Sequence, residues 1–162
     1  MDGTLLNNEH ELSERTIAAI KKAQEAGIRF IIATGRSFEQ AIHVLEGTGI
    51  ECDYILYSGA EIRNSAKEIL QSSTMKLQDC RMVYDVLKEY ELMYLFGAED
   101  VDYCIGSTKD REQELIQHIR TFNPNMPEAE IRESELFKFF LSKTKVVSDF
   151  EELVESGVDI IK

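Results

Sequence analysis

The sequence predicts an α/β fold, a partial parallel-sheet core followed by a smaller unit in which helices alternate with antiparallel strands. Three observations carry that expectation. Residues 28–33, Ile-Arg-Phe-Ile-Ile-Ala, form a nearly continuous apolar run, the pattern of a parallel strand covered by helices on both faces. An amphipathic segment of helical length precedes this run and another follows it, which makes half of a βαβ unit. From about Met75 the rhythm changes to short strands set between helices.

In chain order, residues 7–11 are a polar loop, and Ser13 is a good N-cap for a helix to about Ala26, with Gly27 as its C′ residue. Ile17, Ile20, Ala23 and Ala26 share one face of it. Ser37 with Gln40 makes a capping box for the next helix, whose Phe38, Ala41, Ile42 and Leu45 face inward before Gly47 and Gly49 end it. A buried strand at 54–57 follows, then a turn at Ser58-Gly59-Ala60 and hairpin arms at 61–63 and 68–70 around Asn64-Ser65. The shift at 72–76 marks a boundary between units 1–74 and 75–162.

In the second unit, a helix over 77–90 carries Cys80, Val83, Val86, Leu87 and Tyr90 at helical spacing, and short strands follow at 92–96 and 101–105. A helix over 110–122 ends at the breaker cluster Asn123-Pro124-Asn125-Met126-Pro127. Residues 137–141 read as a strand, Ser148 as the cap of a helix to Glu155, and 158–161 as the start of another strand. The acidic residues Glu128, Glu130, Glu133 and Glu135 read as a solvated face.

Composition narrows the function classes. With 43% hydrophobic and 30% charged residues in 162, the chain is globular and long enough to bury a core. Against 18 basic residues stand 30 acidic ones, net −12, with no run of Lys or Arg that could track a phosphate backbone, which argues against nucleic acid and anionic membranes as partners. Cys52, Cys80 and Cys104 are an odd number without CxxC or Cys/His spacing, so a reduced, cytoplasmic setting is expected rather than disulfides or zinc. His10, His43 and His118 are scattered without ligand spacing. No apolar run reaches the roughly 18 residues of a membrane helix, and no signal peptide is read at the start.

Two stretches carry the chemistry. Met1-Asp2-Gly3-Thr4-Leu5-Leu6 and Phe30-Ile31-Ile32-Ala33-Thr34-Gly35-Arg36-Ser37 each read as a place where a buried strand runs out into a polar, glycine-bearing loop. In open α/β sheets ligands bind outside the carboxyl ends of the strands, so two such loops side by side would form one site. Taken alone, Ala33–Ser37 is also an ordinary strand-to-helix turn, and Asp2-Gly3 a tight turn at a terminus.

Read together, Asp-Gly-Thr-Leu-Leu and the later apolar-Ala-Thr-Gly-Arg resemble motifs one and two of the haloacid dehalogenase (HAD) superfamily, in its Cof-type phosphatase branch with an α/β (type IIB) cap. Tyr57-Ser58-Gly59-Ala60-Glu61-Ile62 is similar to the Asn-Gly-Ala turn of Cof-type proteins. The resemblance implies a partial Rossmann-like core over 1–74, an incomplete cap over 75–162, and hydrolysis of small phosphorylated metabolites such as sugar phosphates with Mg²⁺ through an aspartyl phosphate. It makes Asp2 the general acid/base, whose backbone carbonyl also faces the metal, and Gly3 and Thr4 the turn after it. It makes Thr34 the hydroxyl that binds the phosphoryl group, with Gly35 allowing close backbone approach and Arg36 adding charge.

The family's nucleophilic Asp would stand one residue before Met1, and its Lys and GDxxND-like metal loop have no counterparts here, Lys162 lacking a following Gly or helix. The chain therefore reads as truncated at both ends and inactive by itself, since removing a nucleophile from a unit that acts together abolishes nearly all acceleration. Uncovered sheet edges would then favour self-association. The competing reading is a non-catalytic HAD-like remnant that binds phosphate or a partner. A nucleotide-binding βαβ protein is disfavoured by the lack of GxGxxG or a Walker loop.

Overall fold

The computed structural model describes all residues except 2, 8–10, 91–93 and 100. The chain divides into two compact units, Met1–Thr74 with Ile161, and Met75–Ile160 with Lys162. The fold is α/β.

The first unit is built on a four-stranded sheet of order β1-β2-β3-β4, with β1 at Ile31–Ala33, β2 at Asp53–Leu56, β3 at Glu61–Arg63 and β4 at Ile69–Ser72. β1 and β2 run parallel in the register Ile31↔Asp53 to Ala33↔Ile55, and the other two pairings are antiparallel. Helix α1, Glu14–Glu25, starts where expected because the Ser13 side chain accepts from the Thr16 N–H, and Gly27 at φ +81° turns the chain out of it. Helix α2, Phe38–His43, carries the expected capping box between Ser37 and Gln40. Ile32, Phe38, Ala41, Leu45, Leu56 and Tyr57 form the core of this unit.

Strand β1 departs from expectation. It spans three residues, not six, and only Ile32 of the three is buried, while Ile31 is 47% and Ile28 61% exposed. The reason is its place in the sheet: among the described residues β1 pairs with β2 alone, so one side and one face of it have no covering element.

The second unit has a three-stranded sheet, β5 Leu95–Ala98, β6 Val101–Ile105 and β7 Thr144–Val147. It is mixed, not purely antiparallel, because β6 and β7 run parallel and are joined by three helices: α4 Thr108–Phe122, α5 Glu128–Glu133 and α6 Glu135–Ser142. Phe96, Tyr103 and Val147 on one sheet face pack with Cys80 of α3 (Leu77–Leu87) and with Phe150 and Leu153 of α7 (Phe150–Glu155). A separate cluster of Leu115, Ile116, Ile119, Ile131 and Phe137 joins α4, α5 and α6.

Several expectations for this unit are corrected. Residues 137–141 are helical: Ser134 caps α6 by accepting the Phe137 N–H at 3.2 Å, and Phe137, Phe140 and Leu141 then fall on one face, packed with the α4 residues. The acidic run, by contrast, is the solvated face expected: Glu130, Glu133 and Glu135 are exposed on α5 and the start of α6, and half-buried Glu128 pairs with Arg132 and Arg120. On α3, Cys80 is buried but Val83 and Val86 are exposed, and the α-helix ends at Leu87, with Tyr90 exposed in the 3-10 turn Lys88–Tyr90 after it. Strand β5 begins at Leu95, residues 92 and 93 lying outside the described ones. The cap of α7 is Asp149, while Ser148 donates its N–H (2.7 Å) and hydroxyl (2.9 Å) to Glu152, which holds that carboxyl below its usual range. Residues 158–161 form no regular strand, although Lys162 and Gly97 exchange backbone hydrogen bonds of 2.8 and 3.2 Å.

Candidate functional site

Parallel pairing places the carboxyl ends of β1 and β2 side by side, and the loops that leave them are stitched together by backbone hydrogen bonds. The Thr34 N–H donates to the Ile55 carbonyl at 2.9 Å, extending the ladder one residue past β1. The Ser58 N–H donates to the Thr34 carbonyl at 3.0 Å, and the Tyr57 N–H to the Arg36 carbonyl at 3.1 Å. Thr34, Gly35 and Arg36 are thereby held against Tyr57 and Ser58 as one assembly at the sheet edge.

Within it, the Arg36 N–H donates to Thr34 Oγ1 at 3.3 Å. A hydroxyl has two acceptor lone pairs and one proton, so a hydroxyl that accepts from the backbone keeps its O–H for an outside acceptor. Ser37, 8% exposed, closes the loop by capping α2, its Oγ accepting the Gln40 N–H at 3.3 Å while its own N–H donates to Gln40 Oε1. Gly35 has a packing reason to be glycine: a Cβ there would lie 3.2 Å from Ser58 Oγ.

The neighbouring turn is strained. Tyr57 and Ser58 both take left-handed backbone, φ +47° and +58°, immediately before Gly59 at φ +104°. Non-glycine residues in that region cost on the order of 1–3 kcal/mol each and persist where surrounding structure over-determines them, often at functional sites. Here the restraint is the buried Tyr57 side chain in the core and the two hydrogen bonds to the Thr34–Arg36 loop.

The first residues are anchored to the same core. The Met1 carbonyl accepts from the N–H groups of Thr4, Leu5 and Leu6, Gly3 supplies the left-handed φ of +67° in this turn, and Met1 and Leu5 pack against the cluster that contains Ile32, Leu56 and Tyr57. Gly3 and Thr4 are exposed. Asp2 lies outside the described residues.

Two charged residues of the expected hairpin arm are buried in β3. Glu61 is fully buried and opposite Leu56, and Arg63 Nε donates to Glu61 Oε1 at 2.6 Å while its guanidinium lies 4.3 Å from the Phe38 ring centroid. The signal was present as a Glu-x-Arg spacing, which puts opposite charges on one face of a strand.

Among the described residues, no group of three or more His, Cys, Asp or Glu side chains could hold a metal ion; Asp2, the residue expected to face the metal, is not among them. A cavity of about 300 Å³, lined by Gln24, Gly27, Arg29, Cys52 and Asp53 among others, lies at the amino ends of β1 and β2, away from Thr34. Burial raises the Cys52 thiol in its lining and the phenol of the core residue Tyr54, so neither is poised to ionise near neutral pH.

Comparison with known proteins bears on the whole chain. A family model described as haloacid dehalogenase-like hydrolase matches residues 1–158. The chain is 25% identical over 163 residues to the phosphatase YwpJ of Bacillus subtilis, covering 99% of this chain and 56% of that protein. It is 24% identical over 165 residues to the 5-amino-6-(5-phospho-D-ribitylamino)uracil phosphatase YwtE of the same organism, covering 100% and 56%. A solved structure of a haloacid dehalogenase-like hydrolase from B. subtilis superposes with a TM-score of 0.76 at 22% identity, covering 98% of this chain and 56% of that one. The chain thus spans about half the length of these relatives.

Proposed function

We propose, from the premise that the chain belongs to the haloacid dehalogenase-like hydrolase family, that it is phosphatase machinery for small phosphorylated metabolites in a reducing cytoplasm. The names of YwpJ and YwtE, both phosphatases, support the reaction class. One observation carries the site: the Thr34 hydroxyl, at the carboxyl edge of β1, accepts from the Arg36 N–H and keeps its proton for a phosphoryl oxygen. In this reading Gly35 admits the oxyanion close to the backbone, Arg36 adds positive charge, and Gly3 and Thr4 form the turn that presents Asp2. Asp2 acts as general acid/base toward the leaving oxygen. The unit 1–74 is the core, and the unit 75–162 is the cap that reads the leaving group.

The family's Mg²⁺ would shield charge on the phosphoryl group. A second reading rests on the same hydroxyl: the Thr34–Arg36 loop binds phosphate without turning it over.

Two measurements separate the readings. Orthophosphate should shift the backbone amide signals of Thr34 and Gly35, and Thr34→Val should abolish the shifts. Hydrolysis of p-nitrophenyl phosphate, with and without Mg²⁺, that Thr34→Val removes identifies the enzyme; phosphate binding through Thr34 without hydrolysis identifies the non-catalytic module. Binding and hydrolysis both indifferent to Thr34→Val would overturn the site.

A further inference from the structure

The strained turn beside Thr34 has a consequence for the ligand. A bend that needs left-handed backbone is met at least strain by glycine, as Gly59 meets it, yet the residue before it at φ +58° is a serine. Its side chain is exposed, so it is not retained for packing. Its N–H is fixed on the Thr34 carbonyl at 3.0 Å, and its Oγ lies over the α-carbon of Gly35, 3.2 Å from where a Cβ would stand. Ser58 Oγ thus adjoins Gly35, the residue next to Thr34, at the carboxyl ends of two adjacent parallel strands. Gly35 leaves room there that any larger residue would take from Ser58 Oγ.

The geometry points to Ser58 as a further phosphoryl-contacting residue, its hydroxyl donating to the oxyanion that Thr34 binds, with the left-handed turn holding that hydroxyl in place. This rests on the phosphate-site reading above and adds to it a second hydroxyl donor from β2's loop. It also assigns Gly35 a defined task, to leave the Ser58 hydroxyl unobstructed.

The test uses the full chain and orthophosphate, with affinity read by calorimetry or amide shifts and stability by melting temperature. Ser58→Ala removes the hydroxyl and keeps the strained backbone; Ser58→Gly removes the hydroxyl and relieves the strain. Both should weaken phosphate binding roughly tenfold, the size expected for one hydrogen bond to a charged group. Ser58→Gly should at the same time melt higher than Ser58→Ala, which separates a ligand contact from a merely structural role. Thr34→Val is the control. Phosphate affinity unchanged in both Ser58 variants but lost in Thr34→Val overturns the role of Ser58 and leaves the site standing. Affinity that none of the three substitutions moves overturns both.

Discussion

Arg63 donates through Nε to Glu61 Oε1 at 2.6 Å in the interior of the first unit, and Glu61 Oε2 beside it has no hydrogen-bond partner among the described residues. A buried pair of this kind contributes little net stability but is costly to halve, because the survivor is left as an uncompensated charge. Arg63→Met alone should lower the unfolding free energy by about 3–5 kcal/mol, and the joint replacement Glu61→Leu with Arg63→Met by far less. Urea denaturation of the two variants checks this; a single variant as stable as the double one would refute it.

Asp102 on β6 is raised above the usual carboxylate range by burial, against the opposing pull of Arg111 and Lys162. A folded-state value above the unfolded one means the native state holds its proton more tightly, so stability falls as pH rises through the interval between the two values. Asp102→Asn should therefore melt higher than the parent near neutral pH. The advantage should vanish below the ordinary aspartate value of about 3.9. An advantage that grows on acidification would reverse the assignment.

The three cysteines are free and buried, and burial raises the thiol of each. Only the thiolate reacts. Ellman's reagent at pH 8 should find no reactive thiol in the native chain and three after denaturation, the number in the sequence. Rapid labelling of the native protein would contradict the burial of Cys52, Cys80 and Cys104.

Strand β1 offers Ile31 at 47% exposure on an edge with one described neighbour. Exposed apolar edges pair with other chains. Size-exclusion chromatography should show concentration-dependent association that Ile31→Lys reduces; a parent chain that stays monomeric at every concentration would count against it.

Features set by local chemistry were legible in the sequence. Ser13 and Ser37 identified their helices because a side-chain cap acts within one turn, and Gly27 sits where a helix exit needs positive φ. The Thr34–Ser37 loop and the presence of a strand after α2 followed from the apolar runs, the cap and the glycine placement. What failed depended on neighbours remote in sequence. A five-residue run such as Phe-Lys-Phe-Phe-Leu satisfies either period, and only Ser134 before it, with α4 to pack on, makes it helical. The exposure of Ile31 depends on what covers β1, which its own residues do not encode. Glu61 and Arg63 alternate with Ile62 in a way that reads as charges outward, and their mutual pairing allows the opposite. Nothing in the dipeptide Tyr57-Ser58 announces left-handed backbone; the turn is imposed by tertiary hydrogen bonds.

The parallel pairing of β6 with β7 also sets an order of events in time. β5 and β6 are neighbours in sequence, Ala98 pairing with Val101, whereas Ile105 must find Val147 across a connection that contains α4, α5 and α6. Closing so long a segment costs chain entropy before any contact repays it. Refolding of this unit should therefore begin with the local β5–β6 hairpin and nascent α4, and its slowest phase should be the arrival of β7.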